Sequence, residues 1–345
     1  MTSTKPMIET RGLAHTFTVG RGRARREVPA VVGVDLVVRP GEIVGLLGPN
    51  GAGKTTTMRM LTTTLRPTGG SASVAGHDVV REPGAVRRRI GYVSQSGGVS
   101  GLARAGHEVI DRGLLYGGRT RDVEPRARAL MAELDIEGLW ERTPREMSGG
   151  QRRRLDLAMG LIHQPDLVLL DEPTSGLDPQ SRANLWAHVR RLRAERGTTV
   201  LLTTHYLDEA DALSDRIVVV DAGRVIAADT PDALKAAVSG DLVDLGVLDP
   251  RDADRAASVL AAAGDAPGAV EVDGARVRRR LRHAATEVPA LTRALQDRGI
   301  LLASLEVRRP TLEDVFLDLT GRSLRDDGVE PDALTVEPEL VGVPA

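Results

Sequence analysis

Two spacings of apolar residues alternate along this chain. Residues 42–47, 167–170, 199–203 and 216–220 are short, nearly unbroken apolar runs, the pattern of strands buried on both faces. Residues 54–65, 180–195 and 207–213 carry apolar side chains at helical spacing. Strand and helix alternating in this way predict a parallel sheet covered on both faces. Ahead of that core, 8–13 and 32–38 read as two further strands. Between them lies an unusually long loop, 18–29, carrying Arg21, Arg23, Arg25 and Arg26, a charge run that reads as a solvated surface. Residues 103–145 read as a helix-rich segment heavy in Arg and Glu.

Past about residue 236 the character changes. The run 241–248 predicts a strand, 250–263 an Ala-rich helix, and 270–277 a hairpin turning at Asp273-Gly274. Residues 287–298 then read as a helix, 300–307 as a strand and 311–319 as a closing helix. The order β-α-β-β-α-β is that of a ferredoxin-like unit, a second and smaller α+β domain. After Gly321 the chain is acidic and contains Pro, with little to bury, so 322–345 is expected to be a disordered tail.

Composition narrows the class. A chain of 345 residues has room for two domains. Apolar residues are 41% of it but aromatics only 2%, so its core must rest on Val, Leu, Ile and Ala. Lys plus Arg number 46 against 48 Asp plus Glu, without the basic excess of a nucleic-acid binder. Cys is absent, so there is no disulfide framework and no thiolate metal site. No apolar run approaches the roughly 18 residues a membrane helix needs. Residues 1–6 lack the apolar stretch of a signal peptide. A cytoplasmic protein is expected, one that meets any membrane through a partner.

Lysine usage points to the chemistry. Only Lys5, Lys54 and Lys235 are lysine, and Lys54 falls in Gly48-Pro49-Asn50-Gly51-Ala52-Gly53-Lys54-Thr55. This is G-x-x-x-x-G-K-T between a strand and a helix, the context a phosphate-binding loop requires. Its glycines let successive backbone amides turn toward phosphate oxygens, and the helix that follows adds its positive end. A compact ammonium fits among those oxygens where a planar guanidinium would not. Lys54 is therefore expected on the β- and γ-phosphates, the Thr55 hydroxyl on Mg2+, and Thr56 near the α-phosphate. Asp171, closing an apolar strand, is placed to hold Mg2+ through water. Glu172 directly after it can orient and deprotonate the attacking water. Ser148-Gly149-Gly150, ahead of Gln151, opens a second Gly-rich helix start able to accept an anion. One chain cannot easily wrap both sites around one nucleotide. A two-fold dimer solves the geometry, each chain lending its second site to its partner's ATP.

Gln95, Met147-Ser148-Gly149-Gly150-Gln151, Leu167 to Glu172, Ser175-Gly176-Leu177-Asp178 and His205 follow the loop in fixed order. With them the chain resembles an ABC-type ATPase, the nucleotide-binding subunit of an ABC transporter, over residues 8–235. The resemblance implies an α/β cassette at 7–235, with a RecA-like parallel-sheet core, an antiparallel β subdomain and a helical subdomain at about 96–150. The ferredoxin-like α+β domain would follow at 236–321. It further implies that Gln95 senses Mg2+ and the coupling partner, Asp178 crosses the dimer interface, His205 contacts the γ-phosphate, and Phe17 stacks on adenine. Met147 stands where Leu is usual, and 96–116 lacks the family's usual sequence after the glutamine.

Residues 175–186, 204–210 and 310–322 are similar to daunorubicin-resistance-type export ATPases. A homodimer is expected, with ATP and Mg2+ at its interface, on the inner face of the cell membrane beneath a separate permease. It would power export of a drug-like or other hydrophobic substrate. The rival is a soluble ABC ATPase acting on ribosomes or chromosomes. Ribosome-acting members usually carry two cassettes, whereas one complete motif set is present here. Chromosome-acting members insert long coiled coils, but only about ninety residues separate loop from signature, without sustained heptads.

Overall fold

The computed structural model describes residues 5–20, 25–238, 240–263, 269–282 and 284–321. The tail at 322–345 lies outside the described residues, as do Arg21 and Arg23. In chain order the elements begin with β1 (Ile8–Val19), β2 (Arg26–Val38), β3 (Ile43–Leu47), α1 (Lys54–Leu61), β4 (Gly69–Val74), β5 (His77–Asp78), α2 (Pro83–Arg89) and β6 (Ile90–Val93). Next come α3 (Ala105–Leu115), α4 (Thr120–Glu133), α5 (Gly149–Leu161), β7 (Leu167–Asp171) and α6 (Pro179–Arg196). They are followed by β8 (Thr199–Thr204), α7 (Leu207–Leu213), β9 (Arg216–Asp221), β10 (Arg224–Asp229) and α8 (Pro231–Ala237). The remainder holds β11 (Asp241–Val247), α9 (Ala253–Ala262), β12 (Glu271–Asp273), β13 (Arg276–Leu281), α10 (Ala284–Asp297), β14 (Leu302–Arg308) and α11 (Leu312–Thr320).

The central sheet has six strands in the order β10-β9-β3-β8-β7-β6, parallel except where β10 joins. β3, β7 and β8 are buried along their whole length, which is why each reads as a continuous apolar run. Successive residues serve opposite faces. Leu170 and Leu202 pack with the helical segment around Met131 and Leu155, while Leu169 and Leu201 pack with Met58 and the antiparallel sheet. Because β3, β6, β7 and β8 run parallel, the loops leaving them emerge on one edge of the sheet. Those loops carry Lys54, Gln95, Glu172 and His205.

A four-stranded antiparallel sheet, β2-β1-β4-β5, lies beside this core. Here one expectation is corrected. Thr18 pairs with Glu27 and Val19 with Arg26, so much of the loop expected at 18–29 is a β-hairpin. Its outer rungs carry polar and charged side chains, which hides the two-residue period from a hydrophobicity reading. The helix expected over 54–65 also stops early, at Leu61. A run of three Thr follows, with Thr63 in the left-handed region at φ 64°.

The third sheet, β12-β13-β11-β14, is antiparallel and has the strand order of a ferredoxin-like unit. Val243, Leu245 and Val277 of this sheet share a core with Val259 and Leu260 of α9 and Leu291 and Leu295 of α10. The closing helix does not join that core. Leu312, Val315 and Phe316 of α11 pack instead on Ala210 of α7, Leu234 of α8 and Ile217 and Val219 of β9. An ion pair between Arg280 and Asp314 ties α11 back to the third sheet.

Candidate active site

β3 delivers the chain into a loop at 48–53, which α1 follows. Gly48 leaves no room for a side chain, since a Cβ there would lie 2.2 Å from the Val220 carbonyl oxygen. Gly53, at φ +95°, makes the same demand, its Cβ position lying 2.5 Å from the Ala30 oxygen. Lys54 is only 4% exposed. Its Nζ donates to the Gly48 and Pro49 carbonyl oxygens at 2.7 and 2.9 Å and stands 3.6 Å from Glu172 Oε1. Burial holds the amine below the ordinary lysine range, and the Glu172 charge pulls partly back. Over the loop lies an open cavity of about 650 Å³. Asn50, Gly51, Gly53, Lys54, Thr55 and Thr56 line one side of it, and Gln95, Glu172, Ser175 and His205 another. Gly48, Pro49 and Ala52 are buried behind that lining.

Asp171 ends β7, and Glu172 follows it with a left-handed backbone, φ 44°, a strained position for a branched-chain-free but bulky acid. Thr203 at the end of β8 braces both. Its Oγ1 accepts from the Glu172 amide at 2.9 Å and donates to Asp171 Oδ1 at 2.7 Å. Thr55 Oγ1 donates to the same carboxylate oxygen at 3.1 Å, and Tyr92 OH to Oδ2 at 3.4 Å. Burial, with the Asp171 charge, pushes the Tyr92 phenol far up, so it remains a donor.

Glu172 is 7% exposed. Its Oε2 accepts from Gln95 Nε2 at 3.0 Å, and its Oε1 lies 3.3 Å from His205 Nδ1. Burial alone would raise its pKa, but His205 and Lys54 outweigh burial and hold the carboxyl below the usual range. The carboxylate is therefore ionised at neutral pH and able to accept a proton. Gln95, Glu172 and His205, each singled out from the sequence, meet at one carboxylate.

The second helix start, expected from the sequence to accept an anion, lies elsewhere. Ser148 caps α5, with the Gln151 amide donating to Ser148 Oγ at 3.2 Å and the Ser148 amide to Gln151 Oε1 at 2.9 Å. This is a closed capping box. Asp178 caps α6 in the same way, accepting from the Ser181 amide at 2.9 Å and from Ser181 Oγ at 2.6 Å. Gly150 lies against Ser181 and Gly149 against Leu177, so both caps share one face. None of Ser148, Gly149, Gly150, Gln151 and Asp178 lines the cavity over the loop. Phe17 does not line it either. It is half-buried on β1, edge-on to His15 with centroids 4.5 Å apart.

Arg153 escaped the sequence reading. It is 8% exposed, on α5. Its guanidinium donates to the Pro173 oxygen at 2.7 Å, the Ser94 oxygen at 2.6 Å, the Asp171 oxygen at 3.0 Å and the Glu172 oxygen at 3.2 Å. One side chain thus fastens the glutamine loop and the carboxylate loop to the signature helix. The run Arg152 to Arg154 hid it, because adjacent helical positions face different ways and only contacts reveal which one turns inward. Thr203 was hidden in the same way, inside an apolar strand.

Comparison with known proteins agrees with this geometry. The ABC transporter family profile matches residues 31–175. The chain is 45% identical to daunorubicin resistance ATP-binding protein DrrA2 of Streptomyces coeruleorubidus, over 86% of its own length and 91% of that protein's. It is 40% identical to the daunorubicin/doxorubicin resistance ATP-binding protein DrrA of Streptomyces peucetius, over 94% and 96% of the two. It is 35% identical to Nod factor export ATP-binding protein I of Burkholderia lata, over 86% and 93%. A dimeric ATP-binding cassette solved in a post-hydrolysis state with ADP and Pi is similar at a TM-score of 0.60 and 25% identity. That likeness covers 65% of this chain and 98% of the other. The chain belongs to the ATP-binding, ATP-hydrolysing subunits of ABC transporters, in the daunorubicin-resistance branch.

Proposed function

We propose that the chain binds ATP with Mg2+ at the interface of a homodimer. Hydrolysis there drives export of a drug-like or other hydrophobic substrate through a separate permease at the inner face of the cell membrane. The observation that carries this reading is the separation of the two anion-binding helix starts. Lys54, Glu172 and His205 line one cavity, while Ser148, Gly149 and Asp178 form an exposed face outside that lining. A second copy brings that face to the first copy's nucleotide.

In this reading Lys54 meets the β- and γ-phosphates, the amides of 50–56 surround the phosphate chain, and His205 reaches the γ-phosphate. Glu172, held by Gln95 and His205, orients the attacking water and takes its proton. Phe17 supports adenine, being paired with Val28, two residues from the cavity-lining Ala30. Thr55, Asp171 and Gln95 are hard oxygen donors in the number Mg2+ accepts, with phosphate and water completing the set. Thr55 and Asp171 already meet at 3.1 Å. When bound, Mg2+ would neutralise charge on the phosphate oxygens. No group of three or more His, Asp or Glu that could hold an ion alone occurs among the described residues.

Among the described residues no helix is long and apolar enough to cross a membrane, which supports a separate permease. The relatives named for drug resistance and Nod factor export support an exporter. We divide the chain into a cassette at 7–235 and an accessory domain at 236–321, with α11 returning to the cassette. The test pairs two assays. Purified protein should release phosphate from ATP and, as Glu172→Gln, elute as a dimer only with ATP. Co-expressed with a candidate membrane permease, the wild type should lower cellular daunorubicin, and Lys54→Ala should not. Hydrolysis by a strict monomer would overturn the shared site. Unchanged accumulation of daunorubicin and other hydrophobic drugs would overturn the exporter.

A further inference from the structure

Two of the three stretches similar to the drug-resistance branch, 175–186 and 204–210, meet through Trp186 and Glu209, neither of which lines the cavity over the phosphate loop. Each has a nucleotide-handling residue near its start, Asp178 in one and His205 in the other. Trp186 and Glu209 lie toward their far ends. Trp186 Nε1 donates to Glu209 Oε1 at 3.0 Å. Resting on the roles proposed above for Asp178 and His205, we infer that Glu209 is a positioning residue. It locks the His205 loop to the Asp178 loop through Trp186.

Glu209 is completely buried, at 0% exposure, although it sits on α7 only four residues after His205. An acid is seldom fully buried unless its surroundings answer it. Here the answer comes from both loops. The hydroxyls of Thr174 and Thr204 flank the carboxyl, together with the Trp186 indole. Thr174 lies between Glu172 and Asp178, and Thr204 immediately precedes His205. The seam extends one helical turn toward Asp178. Arg182, four residues before Trp186 and so on the same face of α6, stacks its guanidinium on the Tyr206 ring at 4.2 Å. It also reaches Asp208 at 3.5 Å. Two positions of the helix capped by Asp178 therefore grip three of the four residues after His205.

In a shared-site dimer His205 serves its own chain's nucleotide and Asp178 faces the partner's. The Glu209–Trp186 contact is then the mechanical link between the two sites.

Three variants test this: Glu209→Leu, Trp186→Phe and Glu209→Gln, whose amide oxygen can still accept from the indole. Binding of a fluorescent ATP analogue should stay within about twofold in all three, because the loop at 48–55 is untouched. Turnover should fall about tenfold or more in Glu209→Leu and severalfold in Trp186→Phe, while Glu209→Gln recovers most of it. The double variant Glu209→Leu with Trp186→Phe should be no worse than Glu209→Leu alone, since both break one contact. A merely structural role would lower melting temperature and leave turnover per folded molecule unchanged, and that result overturns the inference. If Glu209→Leu does not fold, Trp186→Phe decides it, and wild-type turnover there is equally fatal. Glu172→Gln measured alongside separates the cases: full activity in that variant would sink the hydrolysis roles themselves, whatever Glu209 does.

Discussion

The cavity over the phosphate loop and the face made by Ser148 and Asp178 are opposites in construction. In the cavity Lys54 and Glu172 are 4% and 7% exposed, and their charges are answered by loop carbonyls, Gln95 and His205. Burying such charges unpaired would cost far more than a fold of marginal stability can absorb. The result is a set of groups fixed before substrate arrives, which is what electrostatic catalysis requires. On the other face Ser148 and Asp178 are exposed, and each closes only on its own helix start. Such a cap steadies its own helix start and demands nothing from the rest of the chain. The difference teaches how the proposed shared site would fold safely as separate chains. The half that carries buried charge is complete alone, and the half that would be offered to a partner closes on itself.

The sharpest way to break the cavity half is Glu172→Gln. The amide cannot take a proton from water, yet it keeps the size and the neighbours of the acid. Turnover should fall about 10²–10⁴-fold with ATP binding retained, read by steady-state phosphate release and a fluorescent-analogue titration. The sign of the pH effect follows from the lowered Glu172 pKa. Its stabilising contribution is present above the unfolded value near about 4.3 and is lost as pH falls through the folded value. Activity limited by loss of this base should therefore fail only in acid below the ordinary carboxylate range. Near-wild-type turnover in the variant would remove Glu172 from its role.

Next in size is the residue joining the two halves. Arg153→Met keeps most of the volume on α5 but strips donors from the carbonyls of Ser94, Asp171, Glu172 and Pro173. Stranded buried acceptors cost roughly 1–3 kcal/mol each and are not additive, so about 3 kcal/mol in all is expected. Denaturant unfolding should show it as a lower midpoint with an unchanged slope. Turnover should fall as well, because Glu172 loses its backbone anchor. A variant as stable as the wild type would mean the carbonyls find water, and the halves would be less firmly joined than the contacts indicate.

Much of this was legible in the sequence, and the rest was hidden for identifiable reasons. β3, β7 and β8 announced themselves because strands buried on both faces leave an apolar run with no competing pattern. The loop glycines and Lys54 were legible because few residue types meet those steric and charge demands. The outer rungs of β1 and β2 were not, since polar residues on an exposed hairpin carry no period. Arg153, Thr203 and Glu209 act through tertiary contacts, and nothing local distinguishes an inward Arg in a run of three. The closing helix α11 was legible as a helix, but its packing on α7 and α8 depends on which apolar surface stands open in three dimensions.

Mixing two inactive proteins sharpens the comparison directly. Lys54→Ala disables the cavity half, and Ser148→Arg blocks the exposed half. In a mixed dimer of the proposed kind both lesions fall on one composite site and the other is wholly wild-type. Activity should return, up to about half the sites in each mixed dimer if they fire independently. Occlusion of a single ATP per mixed dimer should be measured too, because strict cooperation between sites can mask turnover. Mixed dimers that form yet neither occlude nor hydrolyse would place both helix starts on one chain's nucleotide.

The smallest effect is expected from Asp178→Asn, and it separates the cap from the interface. Asn caps a helix about as well as Asp, so α6 should keep its start and melting at neutral pH should barely change. Ser181, donating through its hydroxyl and its amide, holds the Asp178 carboxyl below the ordinary range. Its ionic contribution is therefore present above the unfolded value near about 3.9 and is lost as pH falls through the folded value. The Asn variant has no such dependence, so its melting temperature should drop less on acidification than that of the wild type. Turnover should fall severalfold at neutral pH, because the variant removes the charge that the exposed face presents to the partner. If turnover stays at the wild-type level while only the acid response changes, Asp178 is a helix cap alone, and Ser148 to Gln151 must carry the partner's nucleotide without it.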